Sequence, residues 1–377
     1  MKTSPFKFGT VVSNKFFTDR ENEIKHLKTN FSSGINTIII SPRRWGKSSL
    51  VEKVINELKT ENKKIIPVLI DLFTVNSEKE FYEKYAKQII KTTTSGFKEV
   101  MKEAKNFFRT VIPKFHYSPV PEQDFSLSLD WNKNDNYTED ILELPERIAN
   151  KKKISIIICI DEFQNLAQIK GFEVFEKKLR AHWQKFKKIS FCLYGSKRHM
   201  MKELFNTSSK PFYRFGEILF LEKIQRDNWI DFIINSFKDS GKKISVEAAA
   251  EIVDLMHCHP WYVQQLSHYT WERTDRNAGK NEAAEALDLL LRTNSPLYIR
   301  DCESLSTTQL NLLKAIVSGE KNLSSTDTMQ KYKLGTSGNV VKNKNTLIEK
   351  DIIDFTNREY EFIDPAFEIW FRKWMLD

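Results

Sequence analysis

One stretch of the sequence, residues 38–50, constrains the fold more than any other. It opens with an apolar run of three isoleucines, passes through the polar loop 41–46, and continues from Lys47 into a helical pattern. A run of β-branched residues predicts a buried strand, and apolar residues three and four apart predict a helix. Strand, loop and helix in this order are the context that a phosphate-binding loop requires. The stretch therefore predicts a nucleotide-binding loop.

The chemistry of such a loop gives several side chains a role. Lys47 is predicted to reach the β- and γ-phosphates, and the Ser48 hydroxyl to ligate Mg²⁺, while backbone N–H groups at the helix start point at the anion. Serine stands at position 41, where the pattern G-x-x-x-x-G-K-[ST] has glycine. The predicted nucleotide-binding residues of the loop are Ser41, Pro42, Arg43, Arg44, Trp45, Gly46, Lys47, Ser48 and Ser49.

A second strand pattern, 154–160, ends in the two carboxylates Asp161 and Glu162. A parallel sheet would bring Asp161 beside Ser48, where it can hold Mg²⁺ through water. Glu162 is then predicted to orient or deprotonate the attacking water. The alternative is that the two acids only cap the helix that follows.

Two more candidate catalytic residues lie next to strand patterns. A helix over 172–183 leads to a strand over 190–194, after which Ser196 is predicted to face the γ-phosphate as a sensor, unless it is only a turn residue. Arg214 precedes the strand 217–221. Its side chain can turn inward to phosphate or, as is usual for arginine, outward to solvent.

The order of these patterns divides the chain into three domains. Residues 1–221 predict an α/β core with a parallel sheet and helices on both faces, and alternating residues in 112–138 predict a β-hairpin insertion. Residues 222–300 predict an α-helical lid. Residues 301–377 predict three helices and a hairpin, which is the pattern of a winged helix-turn-helix.

The third helix of the winged helix carries polar residues of the types that contact phosphates and base edges. These residues are Lys342, Asn343, Lys344 and Asn345. The apolar residues predicted to be buried on the same helix are Val340, Val341, Leu347 and Ile348. Contact with duplex DNA is one interpretation, and a packing or interaction module is the other. Four aromatic residues near the C-terminus either dock a protein partner or pack the last helix: Phe367, Trp370, Phe371 and Trp374.

The composition of the chain limits the classes of binding partner and the cellular compartment that we expect. The 59 basic and 50 acidic residues leave a net charge of +9, which suits nucleic acid or a ligand with several phosphates. The four cysteines are widely spaced and two lie in strand patterns, which predicts buried thiols in a reducing compartment. No apolar run approaches the length of a membrane span. We therefore expect a cytoplasmic protein with no membrane partner.

These motifs, in this order, resemble the archaeal/bacterial ATPase family, in the STAND branch of the AAA+ P-loop NTPases. The resemblance covers nearly the whole chain. Besides the phosphate loop, it rests on Phe17, Asp19-Arg20-Glu21, Glu23, Asp161-Glu162-Phe163-Gln164, Gly195-Ser196, His259-Pro260 and Asp364-Pro365-Ala366-Phe367-Glu368-Ile369-Trp370.

The resemblance implies an ATP-binding core, a helical lid and a C-terminal winged helix. It implies that Lys47, Ser48 and Asp161 bind Mg-ATP or ADP and that Glu162 promotes hydrolysis. In related proteins a Gly-x-Pro turn of the lid contacts the nucleotide. The matching turn here is Cys258-His259-Pro260, without glycine, and it makes His259 and Pro260 candidate nucleotide contacts.

The sequence thus predicts an ATPase that works as a conformational switch, with turnover that is slow or depends on a partner. Two alternatives use the nucleotide with little hydrolysis: a DNA-binding regulator, and a scaffold for a protein partner or for self-association. A small-molecule kinase is disfavoured, because nothing after the core predicts a substrate pocket.

Overall fold

The computed structural model describes residues 3–11, 17–94, 113–116, 126–129, 137–356 and 358–376. The chain forms two compact units. The core unit is Arg20–Glu222, and the flanking unit combines Met1–Asp19 with Lys223–Asp377.

A five-stranded sheet forms the centre of the core unit. Its strands are β1 (Thr37–Ile40), β2 (Ile65–Asp71), β5 (Ser155–Asp161), β6 (Ile189–Gly195) and β7 (Glu217–Phe220). They lie in the order β2-β5-β6-β1-β7, and every pair is parallel. All of β1 and β6 are buried, because helices cover both faces of a parallel sheet. This is why the strands appear in the sequence as uninterrupted apolar runs.

Among the described residues of the core unit, the α-helices alternate with these strands. They are α1 (Glu21–Ser32), α2 (Lys47–Glu61), α3 (Glu78–Thr93), α4 (Tyr137–Lys152), α5 (Phe172–Trp183) and α6 (Arg198–Asn206), and a 3-10 helix covers Phe163–Gln168. Within the predicted hairpin insertion, β3 (Pro113–His116) pairs antiparallel with β4 (Ser126–Leu129). The other residues of that prediction, 112, 117–125 and 130–136, lie outside the described part of the chain.

The flanking unit consists mainly of helices. The predicted lid contains α7 (Arg226–Asp239), β8 (Lys243–Ile244), α8 (Val246–Leu255), α9 (Pro260–Arg273), β9 (Asn277–Ala278) and α10 (Lys280–Glu303). The winged helix contains α11 (Thr307–Val317), α12 (Thr326–Lys331), α13 (Ser337–Glu349), the antiparallel pair β10 (Ile353–Thr356) and β11 (Glu359–Phe362), and α14 (Pro365–Met375). One hydrophobic cluster runs through both parts.

The first residues of the chain pack into this flanking unit. Phe6 is 2% exposed, and its ring centroid lies 6.1 Å from that of Phe232 and 5.6 Å from that of Phe237. The backbone N–H of Lys7 donates to Gln264 Oε1 at 3.0 Å. The grouping therefore differs from the predicted domain 1–221, which assigned this segment to the core.

The boundary predicted at residue 300 also differs from the structure, because α10 continues to Glu303. The last helix, α14, packs against α10. The rings of Tyr298 and Phe367 are 5.0 Å apart, and Trp370 Nε1 donates to Ser295 Oγ at 3.0 Å. Three of the four C-terminal aromatic residues are therefore core residues, whereas Trp374 is 44% exposed. Among the described helices, none combines the length and the hydrophobicity that a membrane span requires.

Candidate functional site

The predicted phosphate loop connects the end of β1 to the start of α2. Gly46 precedes α2 with φ 85°, a left-handed conformation that glycine adopts without strain. Ser41 is buried and does not adopt a positive φ. Its position therefore does not need the conformational freedom of glycine, which explains why serine can stand where the usual pattern has glycine.

The ammonium group of Lys47 lies inside this loop. Nζ donates to the backbone oxygens of Ser41 at 3.1 Å and Pro42 at 2.8 Å, and the side chain is buried. A buried cation at the start of a helix, where N–H groups also carry partial positive charge, creates a strong preference for an anion.

The structure brings the end of β5 to this loop. The Ser48 hydroxyl donates to Asp161 Oδ2 at 2.9 Å, and the backbone N–H of Glu162 donates to Oδ1 at 2.8 Å. Burial raises the pKa of Asp161 to about 6, although the Ser48 hydrogen bond opposes that shift. A hydroxyl and a buried carboxylate are ligands that Mg²⁺ prefers, and a cation would relieve the cost of the buried charge. These residues fit a magnesium ion.

The Glu162 side chain is held by Gln164, two residues further along the chain, and by Ser196, which follows β6. Glu162 Oε2 accepts a hydrogen bond from Ser196 Oγ at 3.0 Å and another from Gln164 Nε2. Arg43 Nε in turn donates to Ser196 Oγ at 3.4 Å. The backbone of Glu162 is left-handed, with φ 51°. Phosphate loop, β5 and β6 thus contribute to one connected site.

Sequence reasoning missed the part that Gln164 plays in this site. Gln164 is fully buried, and a Cβ atom on Gly195 would lie 1.8 Å from its Oε1. Glycine at the end of β6 therefore makes room for the side chain that fixes Glu162. Gln164 and Gly195 both belong to motifs on which the family resemblance rests. Because they are far apart in the sequence, the sequence alone could not predict their contact.

Comparison with protein families identifies the chain. Residues 17–266 match the family model described as "ATPase domain predominantly from Archaea". The chain belongs to this archaeal ATPase family. Residues 296–373 of the ATPase match a second model, described as "Probable winged helix domain". The predicted family is thereby confirmed at the level of the archaeal ATPases.

Solved structures confirm the predicted fold class. The ATPase is similar to the Walker-type ATPase paby2304 of Pyrococcus abyssi, with 15% identity and a TM-score of 0.66 over 98% of this chain and 99% of that chain. It is also similar to the ORC2 protein of Aeropyrum pernix in its ADPNP-ADP complexes, with 12% identity and a TM-score of 0.60 over 99% of this chain and 100% of that chain. No curated protein matches the sequence significantly.

The three other predicted site residues of the ATPase are Arg214, His259 and Pro260. Arg214 is exposed, its guanidinium lies 5.2 Å from the Tyr213 ring centroid, and it makes no hydrogen bond or ion pair with any described residue. His259 and Pro260 belong to the flanking unit at the start of α9, where His259 is 4% exposed and packs on Tyr262. Their roles toward the nucleotide stay predictions.

The predicted DNA-contacting residues of α13 do not form one free surface. Lys342 and Asn345 are exposed, but Asn343 Nδ2 donates to Thr308 Oγ1 at 3.2 Å. Lys344 Nζ lies 4.8 Å from the Tyr360 ring centroid, and burial lowers the pKa of Lys344.

Burial on α13 also differs from the prediction at one apolar position. Val341 is 53% exposed. The reason is helical geometry, because Val341 lies about 100° around the helix from the buried Val340. Residues 304–377 contain ten basic and ten acidic residues, so the winged helix lacks the excess of positive charge that DNA-binding domains usually have.

Proposed function

We propose that the core unit binds ATP with Mg²⁺ and hydrolyses it, and that this cycle acts as a conformational switch of the STAND type coupled to the winged helix. The hydrogen bond of 2.9 Å between Ser48 and Asp161 carries the proposal, because it joins the phosphate loop to the acidic end of β5. Membership of an ATPase family supports the same chemistry.

Binding would use groups that already converge on the loop. In this proposal Lys47 transfers its hydrogen bonds from the loop carbonyls to the β- and γ-phosphates, and the first N–H groups of α2 donate to the same anion. Ser48 and Asp161 would hold Mg²⁺. The metal would neutralise phosphate charge as the bond to the γ-phosphate breaks.

Hydrolysis would depend on Glu162. Ser196 and Gln164 both donate to Oε2, so they fix the carboxylate, whereas Oε1 makes no hydrogen bond with any described residue. In the proposed reaction Oε1 accepts a proton from the water that attacks the γ-phosphate. Ser196 would then position the base, and Arg43 would position Ser196.

Two substitutions test this assignment. Lys47→Ala should weaken ATP binding by about tenfold to a hundredfold, because charged hydrogen bonds of this kind contribute about 1.5–3 kcal/mol each. Glu162→Gln should keep ATP binding but reduce turnover by about a hundredfold or more. Fluorescent-nucleotide titration measures the first effect, and phosphate release measures the second.

Lys59→Ala is the matched control, since Lys59 is an exposed lysine of the same helix, α2. Its ATP affinity should equal that of the unmodified protein. If Lys47→Ala retained full affinity, the phosphate site would be misassigned, and full turnover by Glu162→Gln would remove Glu162 from the role of base.

A DNA-binding regulator with little hydrolysis is the second candidate, because Lys342 and Asn345 are exposed on α13. Measuring ATP hydrolysis with and without duplex DNA distinguishes this regulator from the ATPase switch. Stimulation by DNA would favour a switch linked to DNA, whereas tight nucleotide binding with negligible turnover under both conditions would favour the regulator or a protein scaffold.

A further inference from the structure

The core unit has lysines at the amino ends of three neighbouring strands. The phosphate loop lies at the opposite end of the sheet, where the strands have their carboxyl ends. The lysines precede β2, β5 and β6, which are adjacent in the sheet. We call the following six residues the lysine edge: Lys63, Lys64, Lys153, Lys185, Lys187 and Lys188.

Backbone hydrogen bonds show that the three segments lie side by side. The N–H of Ser155 donates to the backbone oxygen of Lys64 at 2.9 Å, and the N–H of Ile156 donates to that of Lys188 at 3.0 Å. Neighbouring strands are about 4.8 Å apart, so the three strands form a row about 10 Å wide.

Among the described residues, no direct contact compensates the charge of the lysine edge. Within the described part of the chain, none of the six ammonium groups makes a hydrogen bond or an ion pair, and five of the six residues are exposed. The nearby Glu146 accepts from the backbone N–H groups of Lys187 at 3.2 Å and Lys188 at 3.1 Å. The nearby Glu61 is already paired with Lys28.

Favourable contact with helix ends does not explain this arrangement fully. The lysine edge follows the carboxyl ends of α2, α4 and α5, where a cation is favoured by the helix dipole. A cation at a helix end can also bond the last carbonyls, as Lys152 Nζ does with the oxygen of Thr93 at 2.7 Å. Among the described residues, the six lysines make no such bond.

We infer that the lysine edge binds the phosphate backbone of a nucleic-acid duplex without reading its sequence. A row about 10 Å wide faces about three phosphates of one strand, and lysine acts as a point charge that carries no base information. The apolar neighbours Ile154 and Phe186 pack against the core, so these two side chains are not available as anchors in a membrane surface. This inference does not depend on the proposed nucleotide site.

The experiment follows the anisotropy of a labelled DNA duplex of about 20 base pairs while salt is raised between about 50 and 200 mM. The variant Lys64→Gln/Lys187→Gln/Lys188→Gln should bind at least about tenfold more weakly at 0.1 M salt. Its plot of log affinity against log salt should be shallower by about 2.7, because three phosphate contacts are lost.

Lys333→Gln/Lys342→Gln/Lys344→Gln is the matched control, since it removes the same charge from the winged helix. It should keep the original slope. An unchanged slope in the first variant, or a slope lost only in the control, would overturn the inference, as would binding to anionic lipid vesicles without binding to the duplex. Melting temperatures check folding, and if the first variant unfolds, Lys187→Gln alone should reduce the slope by about 0.9.

Discussion

Gly195 and Gln164 show how the lack of one side chain can determine the position of Glu162, the proposed catalytic base. Their contact leaves no space for a Cβ atom, since Gln164 Oε1 would lie 1.8 Å from it. Gln164 is also a donor to Glu162. Any residue larger than glycine at position 195 must therefore move the side chain that holds the proposed base.

We expect Gly195→Ala to lower the free energy of unfolding by about 1–3 kcal/mol, as overpacking usually does. Its turnover should fall as well. In a Gln164→Ala background the same change should cost much less, because the clash is gone. A double-mutant cycle from urea unfolding measures this coupling, and additive effects of the two substitutions would show that the clash is relieved elsewhere.

Asp161 predicts a pH dependence of stability in the absence of metal. Burial raises its pKa to about 6 from an ordinary value of 3.8. Between these two values the folded protein keeps a proton that the unfolded chain has released, so stability falls as pH rises, by at most about 1.4 kcal/mol per pH unit. Above pH 6 the contribution becomes constant.

Urea unfolding between pH 4 and 8 measures this slope, and Asp161→Asn should remove it. Asp71→Asn is the control, because Asp71 is exposed and lies on β2 directly opposite Asp161 of the neighbouring strand β5. Affinity for Mg²⁺ should change in the opposite direction, rising as pH increases to about 6, since the ion requires the carboxylate. Equal slopes for all three proteins would place the titrating group elsewhere.

At the scale of elements, the regular parts of the fold could be predicted because their patterns are local. The helix predicted over 172–183 is α5, Phe172–Trp183. The strand ending in Asp161 and Glu162 follows from an apolar run, and its place beside the phosphate loop follows from the parallel sheet. Contacts between distant segments, such as Gly195 with Gln164, left no local pattern and needed the structure.

The N-terminal segment is another element whose place could not be predicted. Phe6 lies among residues of α7, more than two hundred positions away, and a single buried aromatic residue has no periodicity. Val341 illustrates a different limit. Apolar residues at adjacent helix positions point in directions about 100° apart, so only one of Val340 and Val341 can face the core fully.

We expect Phe6→Ala to destabilise the flanking unit by about 3–5 kcal/mol, because it leaves a cavity beside Phe232 and Phe237. Hydrogen exchange of α7 should become faster, whereas exchange in the sheet of the core unit should stay the same. Val11→Ala is the control, since Val11 lies in the same segment and is 46% exposed. Unchanged exchange in α7 would mean that the segment contributes nothing to that unit.

At the scale of the whole molecule, the net charge of +9 gave no indication of where the positive charge lies. The sequence predicted possible DNA contacts on α13, but residues 304–377, which include this helix, contain equal numbers of acidic and basic residues. The structure instead aligns lysines across three strands of the core unit, because chain segments that are far apart in sequence become neighbours in a parallel sheet.

The two places where the chain passes from one unit to the other are close together. Arg20 opens the core unit and Glu222 closes it, and Arg20 Nη2 donates to the backbone oxygen of Glu222 at 2.5 Å. In topological terms the ATPase core is an insert within the flanking unit, with its entry and exit side by side. Insertion of a domain is tolerated best where its two termini are close together. We therefore expect that another domain with adjacent termini could replace the core unit between the two segments of the flanking unit.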